Sequence, residues 1–386
     1  MSRSTDPGHF FQTDASESTR ARRAAKSGNK NGNPIVLQSK ILSLIPDPFS
    51  SQCIYIAESA GCVRKVNTET RDTKTVYRGP TAPVTSVAIG GHGGNTLFAG
   101  CWDKQIWSWD RESKDLGKKF KGHSDFVKAI VCVNIDGTDC LISGGADAKI
   151  MVWNTATGER LHTLRDKSES MMAVQDLALD PEDSTSSAIV LVSSSSDPHI
   201  RRWRISLTSA SQILDTTEDV PAQSKPIRDT ILEHETSVYQ VIFAGDEEET
   251  DLWTASADGT AKCLSRAKNW STEETYEHGD YVRAVAVTDT WLLPQATGKL
   301  WHIYDGHYEE VTGLVILKGE KQAISTSIDG TVRIWGLTKG ELEKARLESE
   351  EKAKGVVKEE KVEPKKGLMT AEEEAELAEL LDSGED

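Results

Sequence analysis

Three histidines lie at a near-constant distance ahead of an aspartate. His123 is 24 residues before Asp147, His234 is 24 before Asp258, and His307 is 22 before Asp329. Each His could be read as a catalytic base or a metal ligand, and the Asp residues as acid–base groups. Ser143, Thr254 and Ser325 stand four residues ahead of those aspartates, as Ser193 does ahead of Asp197. One such constellation would suggest hydrolysis, but several copies along one chain point to a unit of architecture. The histidines and aspartates are therefore read as structural. No GxSxG, P-loop, HExxH or zinc-spaced Cys/His pattern accompanies them. The expectation is a protein that is not an enzyme, with no cofactor, no metal and no catalytic residue. A hydrolase site assembled from distant loops is the alternative.

The elements that position these residues come in copies. AGCWDKQIWSWD (99–110), SGGADAKIMVWN (143–154), SSSSDPHIRRWR (193–204) and STSIDGTVRIWG (325–336) align without gaps, and TASADGTAKCLS (254–265) is a fifth copy. In four of them a Trp follows the Asp by six residues: Trp109 after Asp103, Trp153 after Asp147, Trp203 after Asp197 and Trp335 after Asp329. The fifth has Leu264 in the Trp position. This spacing fits a hairpin. The Asp carboxylate satisfies backbone N–H groups in the turn, and the Trp lies on the returning strand with its indole buried and its N–H in need of an acceptor. Short β-branched runs broken by Gly, Asp, Asn and Pro fill the chain from Pro34 to about Thr338.

Over roughly 300 residues the pattern resembles the WD-repeat (WD40) family. That resemblance implies an all-β, seven-bladed propeller in which His, Ser/Thr, Asp and Trp form a hydrogen-bonded chain inside each blade. It carries over fully to His123–Ser143–Asp147–Trp153 and His307–Ser325–Asp329–Trp335, and partly elsewhere. Blade 2 has Ala99 and no His, blade 4 lacks the His, and blade 5 lacks the Trp. First strands are expected to begin near Ile41, Val84, Val127, Val174, Val238, Val282 and Val311. The run 34–40 is expected to close the ring as the outer strand of the last blade, which would hide exposed strand edges. Blade 6 is short: His278 to His307 spans 29 residues, against about 40–45 for one repeat. Either the blade is truncated or a segment near Pro294 is missing from this sequence.

Composition divides the chain into three parts. Residues 1–33 carry six basic and three acidic side chains and little apolar periodicity, and read as a disordered basic arm. Residues 34–338 form the propeller, with a polar insertion about 206–226. Residues 339–386 form a charged tail that opens with a solvated helix and ends in an acidic helix about 370–381, where Thr370 and Glu373 make a capping box. The formal charge of −16 argues against broad phosphate-backbone binding. Direct nucleic-acid contact would need a local basic patch. No apolar run approaches a membrane span. The six cysteines, without CxxC spacing or a signal peptide, read as reduced thiols of a cytoplasmic or nuclear protein.

Register also places unusual residues at the narrow mouth of the ring. Trp102 precedes the repeat Asp103, Phe126 and Lys128 flank Val127, Tyr239 follows Val238, and Tyr281 and Arg283 flank Val282. Aromatic side chains with Arg or Lys are the composition of interaction hot spots, and the family resemblance points to the same positions. The leading expectation is a scaffold or adaptor, one propeller per hetero-complex with other proteins. The alternative is a subunit of an RNA-associated, tRNA-modifying or ribosome-assembly complex.

Overall fold

The computed structural model describes residues 20–21, 23–24, 26–166, 170–214, 230–245, 250–288, 302–317, 319 and 321–353. They divide into two units, residues 1–338 and 339–386. In the second, helix α1 (Lys339–Ala353) carries the i,i+4 pairs Lys344–Glu348 and Arg346–Glu350, the arrangement that supports a charged helix. The expected acidic helix about 370–381 lies outside the described residues, as do residues 1–19 and most of the 206–226 insertion.

The first unit is built from antiparallel four-stranded sheets. Blade 1 holds β2 (Ile41–Asp47), β3 (Ser50–Glu58), β4 (Cys62–Asn67) and β5 (Thr75–Arg78). Blade 2 holds β6 (Val84–Gly90), β7 (Thr96–Cys101), β8 (Gln105–Asp110) and β9 (Leu116–Lys121). Blade 3 holds β10 (Val127–Ile135), β11 (Thr138–Gly145), β12 (Ile150–Asn154) and β13 (Arg160–Leu164). Blade 4 holds β14 (Val174–Leu179), β15 (Ala188–Ser195), β16 (Arg201–Ser206) and β17 (Ala210–Gln212). Blade 5 holds β18 (Val238–Gly245), β19 (Thr250–Ser256), β20 (Thr260–Ser265) and β21 (Ser271–Glu277). The closing blade joins β22 (Val311–Leu317), β23 (Gln322–Ser327) and β24 (Thr331–Gly336) to β1 (Ile35–Val36) as its outer strand. β1 pairs Ile35 with Val332 and Val36 with Thr331, so residues from opposite ends of this unit share one sheet.

The sheets pack face to face around apolar cores, with each first strand lying on the first strand of the next blade: β2 on β6, β6 on β10, β10 on β14, β14 on β18, and β22 on β2. Six first strands begin where the sequence places them. The seventh expectation is corrected: the described residues contain six sheets, and no strand starts at Val282. Between blade 5 and the closing blade runs Tyr281–Thr288 without a sheet of its own, held by Val282 N–H on Ser256 O (2.8 Å) and Val285 N–H on Gln240 Oε1 (2.7 Å). The physical reason is chain length, since 29 residues are too few for four strands and their turns. Residues 289–301 lie outside the described part.

A second difference concerns residues 20–33 of the expected basic arm. Helical backbone recurs between Arg20 and Lys26, and the chain beyond it is tied to the closing blade. Arg23 pairs with Glu309 (3.2 Å), Lys26 with Asp305 (2.6 Å), and Asn29 Nδ2 donates to Gly306 O (2.7 Å). Ile334 N–H donates to Gly32 O, and the buried Arg333 guanidinium donates to Asn29 and to Asn31 O. Arg333 is almost fully buried and needs acceptors; the arm provides them, which composition alone did not reveal.

Candidate functional site

The repeated residues form the chains expected of them where all four members are present. In blade 3, His123 bridges Asp147 Oδ1 (2.9 Å) and Ser143 Oγ (2.8 Å), and Trp153 Nε1 donates to the same Ser143 Oγ (2.9 Å). In the closing blade, His307 bridges Asp329 (3.0 Å) and Ser325 (2.8 Å), and Trp335 Nε1 donates to Ser325 Oγ (2.8 Å). Glycine precedes each of these histidines because the blade's indole fills the space: a Cβ on Gly122 or Gly306 would lie 2.7 Å from the Trp153 or Trp335 ring. Burial pushes the Asp147 carboxyl up, but hydrogen bonds from His123 and the Ser124 N–H outweigh it and hold the carboxyl below its usual range. Asp258 in blade 5 is held at about 2, burial being overcome by the Thr260 and His234 hydrogen bonds. Burial in turn lowers the His234 pKa against the pull of Asp258. Every member is engaged with another, so these groups brace turns.

Blade 4 lacks the His and solves the problem differently. Asp166 stands two residues past β13, where His123 stands two past β9, and it accepts from Arg201 Nε at 2.6 Å. Arg201 also donates to Asp197 Oδ1 and Ser195 Oγ (both 2.9 Å), and both side chains of the Arg201–Asp166 pair are wholly buried. Sequence reasoning missed this pair because a longer loop separates Asp166 from Asp197 and breaks the 24-residue spacing. The available signal was Arg201 two residues before Trp203, the place Arg333 takes before Trp335.

Two backbone features recur at the start of the first strand in every formed blade. The residue after the second strand donates its N–H to the carbonyl just before the first strand: Ser59 to Lys40, Trp102 to Pro83, Ala146 to Phe126, Ser196 to Ala173, Ala257 to Ser237 and Ile328 to Glu310. Each first strand also has a register break immediately after its first residue. Such a break re-aims the extra side chain. The re-aimed residues include Lys128, Gln175 and Tyr239, and Lys128 Nζ reaches Gln175 Oε1 across the blade boundary at 2.6 Å.

On this frame the singled-out residues meet in two groups. Trp102 stacks on Phe126 of the next blade (centroids 4.9 Å apart, planes 13°), with 44% and 38% of their surfaces exposed. Tyr281, half exposed, meets Tyr239 edge-on at 6.5 Å, and the Arg283 guanidinium lies 4.1 Å over the Tyr239 ring while pairing with Glu310. Burial lowers the Lys128 pKa, and the Arg283 charge acts in the same direction. The arrangement offers flat aromatic faces beside two cations. Among the described residues, no three His, Cys, Asp or Glu side chains cluster as metal ligands. All six cysteines are unpaired.

Comparison with known proteins agrees with this construction. Residues 85–265 match the profile of the tRNA methyltransferase TRM82 WD40 domain, and residues 298–336 that of the WD domain, G-beta repeat. The chain is similar to an uncharacterized WD repeat-containing protein of Schizosaccharomyces pombe, 27% identical over 399 residues that cover 97% of this chain and 98% of the relative. It is also similar to the nuclear distribution protein nudF of Aspergillus niger, at 26% identity over 73% of this chain and 56% of the relative. A shorter likeness, 30% identical over 87 residues, covers 22% of this chain and 27% of the small ribosomal subunit protein RACK1 of Drosophila melanogaster. With its repeated hairpins, its indole-capped histidines and its ring of four-stranded blades, the chain belongs to the WD-repeat family of β-propellers.

Proposed function

We propose that this chain is the non-catalytic propeller subunit of an intracellular tRNA-methyltransferase complex, cytoplasmic or nuclear, and that its mouth holds a protein partner. The observation that carries this reading is the match of residues 85–265 to the TRM82 WD40 domain. That match runs from the first strand of blade 2 to the third strand of blade 5 and includes Trp102, Phe126, Lys128 and Tyr239. The stacked Trp102–Phe126 pair and the Tyr239–Tyr281–Arg283 group supply the aromatic and cationic anchors that protein interfaces favour. The partner supplies the chemistry, and this chain supplies a surface that fixes the partner's position.

The test is affinity purification of the full chain, with tRNA methylation measured in the captured material. Capture of a methyltransferase with activity is expected. Truncating an anchor typically costs about 2 kcal/mol or more, roughly thirtyfold in affinity. Trp102→Ala combined with Tyr281→Arg should therefore release the partner while leaving the melting profile close to wild type. A folded double variant that retains its partner removes the mouth from the interface. Capture without any methyltransferase removes the complex.

A further inference from the structure

The cations of this chain fall into two kinds. One kind is paired with a carboxylate: Arg64 with Glu58, Lys65 and Arg111 with Asp47, Arg266 with Asp180, Lys268 with Glu273, and Arg283 with Glu310. Lys118, Lys119, Lys121 and Arg160 have no carboxylate partner among the described residues. Three of them belong to β9, the outer strand of blade 2, whose sequence LGKKFK is exposed at every position but Phe120. Arg160 opens β13, the outer strand of blade 3, and is exposed as well. The two edges adjoin. Lys118 Nζ donates to Ala156 O in blade 3, and the Arg160 guanidinium lies over Gly122, with Nη1 3.3 Å from where a Cβ would be. Lys119 Nζ sits 3.5 Å above the Trp107 ring, and the neighbouring Leu116 is 52% exposed. The outer strand of blade 5, STEETYE, has the opposite character, with Glu273, Glu274 and Glu277.

We propose that the outer edge of blades 2 and 3 is a contact surface for the RNA phosphate backbone, using Lys118, Lys119, Lys121 and Arg160. The proposal rests on the preceding reading, in which the complex acts on tRNA, and identifies a part of this chain that would touch that substrate. Charge complementarity selects the occupant: unpaired ammonium and guanidinium groups along an extended edge match a polyanion that presents phosphates at intervals. On a strand, Lys119 and Lys121 share a face at about 6.6 to 6.8 Å, so each can meet a separate phosphate. In a chain of formal charge −16, unpaired cations gathered on one edge also fix the side from which a polyanion approaches.

Lysines on an edge strand can alternatively serve only to block pairing with another strand, and the experiment separates the two roles. Charge reversal by Lys118→Glu, Lys119→Glu and Lys121→Glu keeps the edge charged, and so blocked, while repelling phosphate. Fluorescence anisotropy of a labelled tRNA transcript is followed against salt with the full chain, this triple variant, Arg160→Glu, and a Glu273→Lys control on blade 5. Each phosphate that the protein no longer neutralises flattens the slope of log affinity against log salt by roughly 0.7 to 0.9. The triple variant is expected to flatten it by about 2 and to bind at least tenfold more weakly at low salt, with no loss in the control. Equal affinity and slope in wild type and triple variant overturn the proposal. So does a wild-type chain that binds phosphatidylserine vesicles but not tRNA. Methyltransferase capture is scored in parallel: a triple variant that keeps the enzyme but loses tRNA supports the edge, whereas absence of the enzyme counts against the complex and leaves the salt slope to decide the edge.

Discussion

Blade 3 and the stretch between blade 5 and the closing blade answer the same structural demand with different resources. Blade 3 has four strands and an unbroken chain from Asp147 through His123 and Ser143 to the Trp153 indole. The described residues of the other stretch include Tyr281–Thr288, which carry no strand and are anchored by two backbone N–H groups and the Arg283–Glu310 pair. In the first, each side chain is fixed by several others, so removing any one leaves a buried partner unsatisfied. In the second, few bonds hold the backbone among the described residues, and the aromatic Tyr281 is left half exposed. Blades 4 and 5 are joined by Arg266 on Asp180, and blades 1 and 2 by Arg111 on Asp47, the same position in the repeat in both cases. Arg266 lies over Phe243 and Trp270, and Arg111 over Phe49.

The largest test of this contrast is loss of a buried group from a complete blade. Trp153→Ala should destabilise the protein by about 3–5 kcal/mol. Arg201→Ala, which removes a buried guanidinium from Asp166, Asp197 and Ser195, should cost a similar amount, and both are read from urea unfolding. Next comes the arm. Removing residues 1–33 takes the Asn29 and Asn31 acceptors from buried Arg333 and should cost about 1–3 kcal/mol, whereas removing 1–19 should leave the melting temperature unchanged. Equal losses for the two truncations would detach the arm from the closing blade. Smaller still is Gln240→Ala, which frees the Val285 N–H. Because that segment is already loosely held, the change should be about 0.5–1.5 kcal/mol. In hydrogen exchange, the amides of Tyr281–Thr288 should open faster than those of β10. Uniform protection across both would erase the contrast.

Acid is the mildest probe. The folded Asp258 carboxyl is held at about 2 against an ordinary 3.8, so its stabilising contribution is full above 3.8 and is lost as the pH falls through 2. His234 is also lowered in the folded state, from an ordinary 6.5. Its neutral form is favoured by folding, so its contribution is full above 6.5 and likewise declines on acidification. Both effects have the same sign. Asp258→Asn should flatten the stability profile between about pH 4 and pH 2, measured by denaturant midpoints, and an unchanged profile would show that Asp258 does not couple folding to protons.

Spacing alone determined much of this protein. Four Asp–Trp hairpins and the Gly-His dipeptides located six first strands to the residue, because hairpin geometry and the packing of an indole on glycine are local and recur wherever the repeat recurs. The offsets of Trp102, Phe126, Lys128, Tyr239, Tyr281 and Arg283 from the repeat Asp or the first strand were legible for the same reason. What the sequence left open depends on partners far along the chain. The Asp166–Arg201 pair is separated by 35 residues and fits no constant spacing. The arm has the composition of a disordered segment but binds Arg333, which lies 304 residues beyond Asn29 and 302 beyond Asn31. The stacking of Trp102 on Phe126 and the meeting of Lys118 with blade 3 arise only when adjacent blades pack. The seventh sheet was inferred from the repeat, yet a sheet needs enough chain to form four strands, and only the tertiary structure decided that the described residues of this interval form none.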